Sequence, residues 1–191
     1  DEGAVAWGSC RPVEGWSDES PATVLSALKD KLGPAIIGIQ ADDTTLHQKL
    51  NQALPPHSSN PIAKSALDMA LFDLLSRRAG LSLREYLGGS KEAEPVALSY
   101  TVTAKDAGAA AEDVAQARAQ GFKHFNFKAG LNPETDRAVA KAVAKAAPPG
   151  AFLWADANQG FDLEGAKAAA GFLKDEGIHV LEQPLSKRDL E

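Results

Sequence analysis

Only one cysteine, Cys10, stands in the chain, so no internal disulfide can form, and the composition suits a reducing compartment, with the cytoplasm the default. Basic residues are in deficit: 20 Lys and Arg face 26 Asp and Glu, a net charge of −6. That balance argues against nucleic acid or an anionic membrane as partner, since both need a basic surface. Long apolar runs are missing too, and nothing approaches the roughly 18 residues of a membrane span. The opening Asp1-Glu2-Gly3-Ala4 has neither the basic start nor the apolar centre of a signal peptide. Gly-x-Gly-x-x-Gly and P-loop patterns are absent, which leaves a phosphate-binding α/β domain without its backbone cradle.

What the chain does have is a strand–helix repeat. Three strand-like segments read His124-Phe125-Asn126-Phe127-Lys128, Ala151-Phe152-Leu153-Trp154-Ala155-Asp156 and Ile178-His179-Val180-Leu181-Glu182. Their last residues are 28 and 26 apart (156−128 and 182−156), about one strand–helix–strand unit. Between them, Pro133 to Ala147 and Leu163 to Glu176 have helical period and are rich in alanine. A strand from Val96 to Val102 and a helix from Ala104 to Gln120 precede them, and Gly121 and Gly177 sit where helix-ending glycines belong. The fold class is α/β, with parallel strands. A closed (β/α) barrel takes roughly 250 residues. The four strands after Pro95 therefore read as the first half of a TIM-type barrel, and the chain as part of a longer polypeptide. A small open α/β sheet, complete as it stands, is the alternative.

The region before it reads differently. Ala4 to Trp7 predicts an opening strand, and Gly8 to Ser20 a loop. Pro21 begins a helix that Gly33-Pro34 stops at Leu32, and a second helix spans Asp43 to Leu54. Asn60 as cap and Pro61 at the first turn open a third, whose apolar stripe is Ala63, Leu67, Ala70, Leu71 and Leu74. Arg77 and Arg78 complement its dipole, and Gly80 closes it. Two domains follow, residues 1–92 and 93–191.

In a parallel barrel the C-terminal strand ends share one rim, and that rim carries the chemistry. Lys128, Asp156 and Glu182 thus converge: one base and two carboxylates. Removing a proton alpha to a carboxylate is difficult because negative charge builds on the carboxylate oxygens, and a divalent cation there lowers the barrier. Mg²⁺ takes hard oxygen ligands, which suits Asp156 and Glu182 and not Cys10. A lysine serves as base when desolvated or near another cation. Singly, each residue has an ordinary explanation. Lys128 reads as a solvated surface residue, Asp156 as a helix N-cap and Asn158 as a turn residue. Glu182 is harder to dismiss, because Pro184 fixes a sharp exit from its strand. His124 and His179 lie within strands and read as structural, while His47 and His57 read as surface residues.

These residues resemble the enolase superfamily, in its mandelate-racemase and muconate-lactonizing branch. Phe152 to Gly160 (FLWADANQG) is similar to that family's third-strand metal motif, and Val180-Leu181-Glu182-Gln183-Pro184-Leu185 to its fourth. Phe127-Lys128-Ala129-Gly130 resembles the end of its second strand. Pro61 to Gly89, with ALDMALFDL at 66–74 and LREYLGG at 83–89, resembles the last helices of its capping domain. The resemblance implies an α+β capping domain, here residues 1–92 in part, over a barrel that begins at 93–191. It implies Mg²⁺ on three carboxylates, an enolate intermediate, a small carboxylic-acid substrate and a homo-oligomer. Carried over by position, Lys128 is the general base, and Asp156 and Glu182 are two metal ligands. Asn158 is a partner of the site, and Arg11 and Trp16, in the Gly8–Ser20 loop, are substrate contacts.

Two departures accompany the likeness. Asn126 stands where the family carries the first lysine of a Lys-x-Lys pair; it can hydrogen-bond but supplies no charge, which leaves more of the base's activation to the metal. The third carboxylate and the opposite-face acid/base lie beyond the motifs present. Racemase or epimerase, cycloisomerase and acid-sugar dehydratase share this half-site, and the sequence does not choose among them. The alternative function is a catalytically inactive or isolated half-barrel module that binds metal or a partner without turnover.

Overall fold

The computed structural model describes residues 3–13, 16–39, 48 and 60–189, which fall into two compact units, Asp1–Ala93 and Glu94–Glu191. In the first unit Ser20 caps helix α1 (Pro21–Ser26). Its hydroxyl accepts from the Thr23 amide while Thr23 Oγ1 accepts from the Ser20 amide. This reciprocal pair satisfies amides that a helix start otherwise leaves bare.

The helix does not stop at Leu32. It widens into a π-helical stretch, Ala27–Leu32, and continues as α2 (Gly33–Ile36). Pro34 brings no amide, and a proline ring crowds the carbonyl four residues back. The wider turn accommodates it, with the Gly33 amide donating to the Leu28 carbonyl. A side chain at Gly33 would place its Cβ 2.7 Å from that same oxygen, so the turn needs glycine.

Helix α3 (Pro61–Arg78) starts where Asn60-Pro61 predicts, but the Asn60 side chain makes no cap bond. The cap comes from far away in sequence: buried Glu19 accepts from the amides of Ile62 (2.6 Å) and Ala63 (3.3 Å). A carboxylate there also meets the favourable end of the helix dipole. The buried line of α3 is Ala63, Ala66, Leu71 and Leu75, a face rotated from the predicted stripe, whose Leu67, Ala70 and Leu74 are half-buried. It packs with Val24, Ala27 and Leu32 into the unit's core. A short helix, α4 (Leu83–Tyr86), follows.

The opening segment Ala4 to Trp7 is not a strand. The Trp7 amide donates to Asp73 Oδ2 on α3 (2.9 Å) instead of to a neighbouring backbone. Gly8 passes α3 so closely that a Cβ would lie 1.8 Å from the Ala66 carbonyl oxygen. Helix contact, not sheet pairing, holds this segment. Among the described residues the unit has no strand. The helix expected from Asp43 to Leu54 lies outside the described residues, apart from residue 48.

The second unit alternates β1 (Ser99–Val102), α5 (Ala107–Ala119), β2 (His124–Lys128), α6 (Pro133–Ala146), β3 (Leu153–Asp156), α7 (Leu163–Asp175) and β4 (Val180–Glu182). Every pairing is parallel and the sheet order is β1-β2-β3-β4. Asp106, Asn132 and Asp162 cap the three helices through side-chain oxygens that accept from their first turns. Val102, Phe125, Phe127, Leu153 and Ala155 from the sheet pack against Val114, Val139, Val143, Phe172 and Leu173 from the helices. Burying a phenylalanine such as Phe125 or Phe127 stabilises by about 1.5–3 kcal/mol. Alanines 110, 117, 140 and 169 are buried as well, and their small side chains let the helices lie close to the strands. Among the described residues no helix is long and apolar enough to cross a membrane.

Candidate active site

The register puts Lys128 beside Asp156, and Asp156 beside Glu182, each the last residue of its strand. Side chains alternate between the two faces of a strand. Phe127, Ala155 and Leu181 therefore turn to the helices, and Lys128, Asp156 and Glu182 turn to the other face. One layer below, Asn126 is beside Trp154 and Trp154 beside Val180.

Lys128 Nζ donates to Asp156 Oδ2 at 2.6 Å and to Asn158 Oδ1 at 2.7 Å. The lysine side chain is 46% exposed and the aspartate 12%. Half-exposed ion pairs contribute only about 0–1 kcal/mol, so this one orients the amine more than it stabilises the fold. The reading of Asp156 as an ordinary helix cap does not hold, since Asp162 caps α7. Asp156 Oδ1 instead accepts from the amide of Asn158 (3.0 Å), a turn in which Asn158 has φ +46°.

Asn158, Gln159 (φ +70°) and Gln183 (φ +41°) are the described non-glycine residues with positive φ, and all follow the two carboxylate-bearing strands. Such backbone costs on the order of 1–2 kcal/mol for most residues, less for Asn. Cross-loop bonds hold it: Ala129 N to Asp156 O (3.0 Å), Ala157 N to Glu182 O (3.0 Å) and Gln159 N to Gln183 O (2.7 Å). The loops after β2 and β3 touch through glycines, for a Cβ on Gly160 would lie 2.6 Å from the Gly130 carbonyl oxygen.

Glu182 is exposed, and its Oε2 accepts from the indole nitrogen of Trp154 at 3.1 Å. Asn126 is buried and donates to Ser99 Oγ on β1 (3.1 Å), so its amide is committed to the neighbouring strand. Trp154 and Ser99 are the residues that sequence reasoning passed over. Two-residue alternation from Asp156 was the available signal for Trp154, whereas Ser99 is placed on that face only by its register opposite His124. The Nδ1 atoms of His124 and His179 accept from the amides of Phe152 (3.0 Å) and Leu153 (3.1 Å). Arg11 and Trp16 are exposed residues of the first unit.

Two carboxylates on adjacent strands form an all-oxygen donor set that fits Mg²⁺, an ion commonly held by one or two carboxylates and several waters. Among the described residues no group of three or more His, Cys, Asp or Glu could hold a metal. Asp156 and Glu182 would supply two oxygen donors to such an ion.

Residues 1–88 match the family described as "Mandelate racemase / muconate lactonizing enzyme, N-terminal domain", and residues 109–191 match "Enolase C-terminal domain-like". The chain belongs to the mandelate racemase/muconate lactonizing enzyme branch of the enolase superfamily. Within it, the chain is 32% identical to the L-Ala-D/L-Glu epimerase of Bacillus subtilis, over 100% of this chain and 52% of that protein. A substrate-liganded structure of that B. subtilis epimerase superposes with a TM-score of 0.87 at 29% identity, covering 100% of this chain and 53% of the other. The chloromuconate cycloisomerase of Cupriavidus pinatubonensis is 30% identical, over 100% of this chain and 52% of its own length. A dipeptide epimerase from Cytophaga hutchinsonii, complexed with Mg and the dipeptide D-Ala-L-Val, has a TM-score of 0.82 at 29% identity, covering 96% of this chain and 49% of that one. The chain spans about half the length of the curated relatives it matches.

Proposed function

We propose that this chain contributes the base and two metal ligands of a Mg²⁺-dependent isomerase that removes a proton alpha to a carboxylate. One observation carries the reading: Lys128, Asp156 and Glu182 stand in register at three adjacent strand ends, on the face turned away from the helices. Residues 1–92 are then part of the capping domain and 93–191 the first four strands of the barrel, at work in the cytoplasm on a small acid. Of the reaction types open to this half-site, epimerisation of a dipeptide-like acid is favoured by the B. subtilis and C. hutchinsonii relatives; cycloisomerisation has the Cupriavidus relative behind it.

Lys128 takes the proton. A neutral amine has two N–H donors and one lone pair. With Asp156 Oδ2 and Asn158 Oδ1 accepting from the donors, the lone pair is left for the substrate. Once protonated, the ammonium keeps both acceptors, so proton transfer needs no rearrangement of the lysine. Asp156 and Glu182 would hold the Mg²⁺, and the ion, when bound, offsets the negative charge that grows on the substrate carboxylate as the proton leaves. The turn at Asn158 and Gln159 holds the carboxylate of Asp156 through the Asn158 amide.

The test is exchange of the substrate's alpha hydrogen with solvent deuterium, followed by NMR on dipeptides and muconate-type acids with the full-length protein and Mg²⁺. Exchange on at least one class is expected, and Lys128→Ala should slow it by about 10²–10⁴-fold, the usual range for a general base. Intact exchange in Lys128→Ala would remove the lysine from this role. The second reading, binding without turnover, is favoured by Asn126, which offers no charge and is engaged by Ser99. Absence of exchange on every acid would select it.

A further inference from the structure

Trp154 takes no part in the chemistry described above, yet its indole nitrogen is 3.1 Å from Glu182 Oε2. Tryptophan carries a single donor and no acceptor, and a half-buried indole is normally aimed at a partner. That partner is the one site carboxylate which is otherwise exposed and loosely held. The two carboxylates are secured differently. Asp156 has both oxygens engaged, by Lys128 and by the Asn158 amide. Glu182 has Oε2 on the indole, and its Oε1 meets no donor among the described residues. The β3–β4 register explains why this pair can form. Trp154 lies opposite Val180, two residues before Glu182 on the same face, so the large indole reaches diagonally up to the rim. Phe152 flanks the indole with ring centroids 5.7 Å apart, and this limits how the indole can swing.

We infer that Trp154 is a positioning residue for the metal. By occupying Oε2 it limits the rotamers open to the Glu182 carboxylate and leaves Oε1 as the oxygen presented to the cation. A free surface glutamate would have to be ordered on binding, and a carboxylate already held by a neutral donor has much of that loss behind it. A neutral donor also fits better than a second cation, because it orients the carboxylate without competing for its charge. The inference rests on the proposed role of Glu182 as a ligand.

The experiment is a double-mutant cycle on Mg²⁺ affinity, measured calorimetrically with Mg²⁺ alone on the full-length protein: wild type, Trp154→Phe, Glu182→Gln and the double variant. Partners that orient a metal ligand typically account for 10–100-fold in affinity. Trp154→Phe is therefore expected to weaken Mg²⁺ binding about 10–100-fold, and to have no further effect once Glu182 is glutamine. As a second variant, benzothienylalanine placed at position 154 alone keeps the ring shape, lacks the N–H, and should weaken binding as phenylalanine does. Wild-type affinity in both ring variants would overturn the inference, as would a loss that persists in full in the Glu182→Gln background, which marks a purely structural role. A Glu182→Gln protein that binds Mg²⁺ like wild type would instead overturn the ligand reading itself.

Discussion

Lys128 meets two acceptors of unlike kind, the Asp156 carboxylate at 2.6 Å and the Asn158 amide oxygen at 2.7 Å. Their roles can be separated. Asn158 sits at φ +46°, a conformation glycine adopts freely, so Asn158→Gly removes the acceptor while sparing the backbone. Loss of one hydrogen bond of about 1.5 kcal/mol predicts a roughly tenfold fall in kcat for the full-length enzyme, with Mg²⁺ affinity kept. Steady-state kinetics at saturating and limiting Mg²⁺ checks this, and a fall in metal affinity instead would assign Asn158 to the ligand set. Asn126 makes the opposite point. Its position in the sequence invited a role at the reacting centre, but its amide donates to Ser99. Asn126→Ala should accordingly cost stability, by about 0.5–1.5 kcal/mol for the hydrogen bond lost to half-buried Ser99, visible as a lower thermal midpoint.

At the scale of elements, remote capping and local capping make separate predictions. Glu19→Ala strips the first turn of α3 of the carboxylate that accepts from Ile62 and Ala63, and a lost cap costs about 0.5–2 kcal/mol. Denaturant unfolding should register that loss with little change in slope. The local cap sits on α4, where the Glu85 carboxyl is held below its ordinary value of 4.5 first by the Ser82 hydroxyl and then by the Ser82 amide. A depressed carboxyl stabilises the folded form above its unfolded value and ceases to do so as pH falls through the folded one. The α4 cap should therefore weaken in acid below about pH 4.5, and Ser82→Ala should return the Glu85 titration, followed by NMR, toward the ordinary value.

These two caps also explain what the sequence made legible. Ser82 and Glu85 are three residues apart, and so are Ser20 and Thr23; such local bonds leave a local pattern, although neither pair was named from the sequence. Glu19 is 43 residues from Ile62, and no short-range pattern announces it. The strands after the helices could be read because Phe125 and Phe127 are apolar and bounded by turn residues. The starts of β1, β3 and β4 were overextended: the Phe152 amide bonds to the His124 ring and not to a β2 backbone carbonyl, so β3 begins at Leu153, two residues after Ala151. The face of Trp154 followed from alternation, but its bond to Glu182 required the register of two strands. The π-helical stretch Ala27–Leu32 carries the helix on through Gly33-Pro34 and overrides an otherwise sound stop signal.

On the scale of the molecule, the sheet has a definite interior. β2 and β3 each pair on both sides, whereas β1 and β4 each have one partner among the described residues. Native-state hydrogen exchange should find the amides of Phe127 and Ala155 slowest and those of β1 and β4 faster, since edge strands open first. Uniform protection across all four strands in this chain would contradict the pattern. The strict sequential order has one more consequence. Each site residue arrives on its own strand–helix repeat, so lengthening an outer helix moves none of them, while a one-residue slip inside a strand turns its reactive group into the helix layer. Under the proposed assignment, a change at the tip of β2 would alter the base and leave the carboxylates of β3 and β4 in place, so the scaffold would tolerate a new side chain at one strand end far better than a new register.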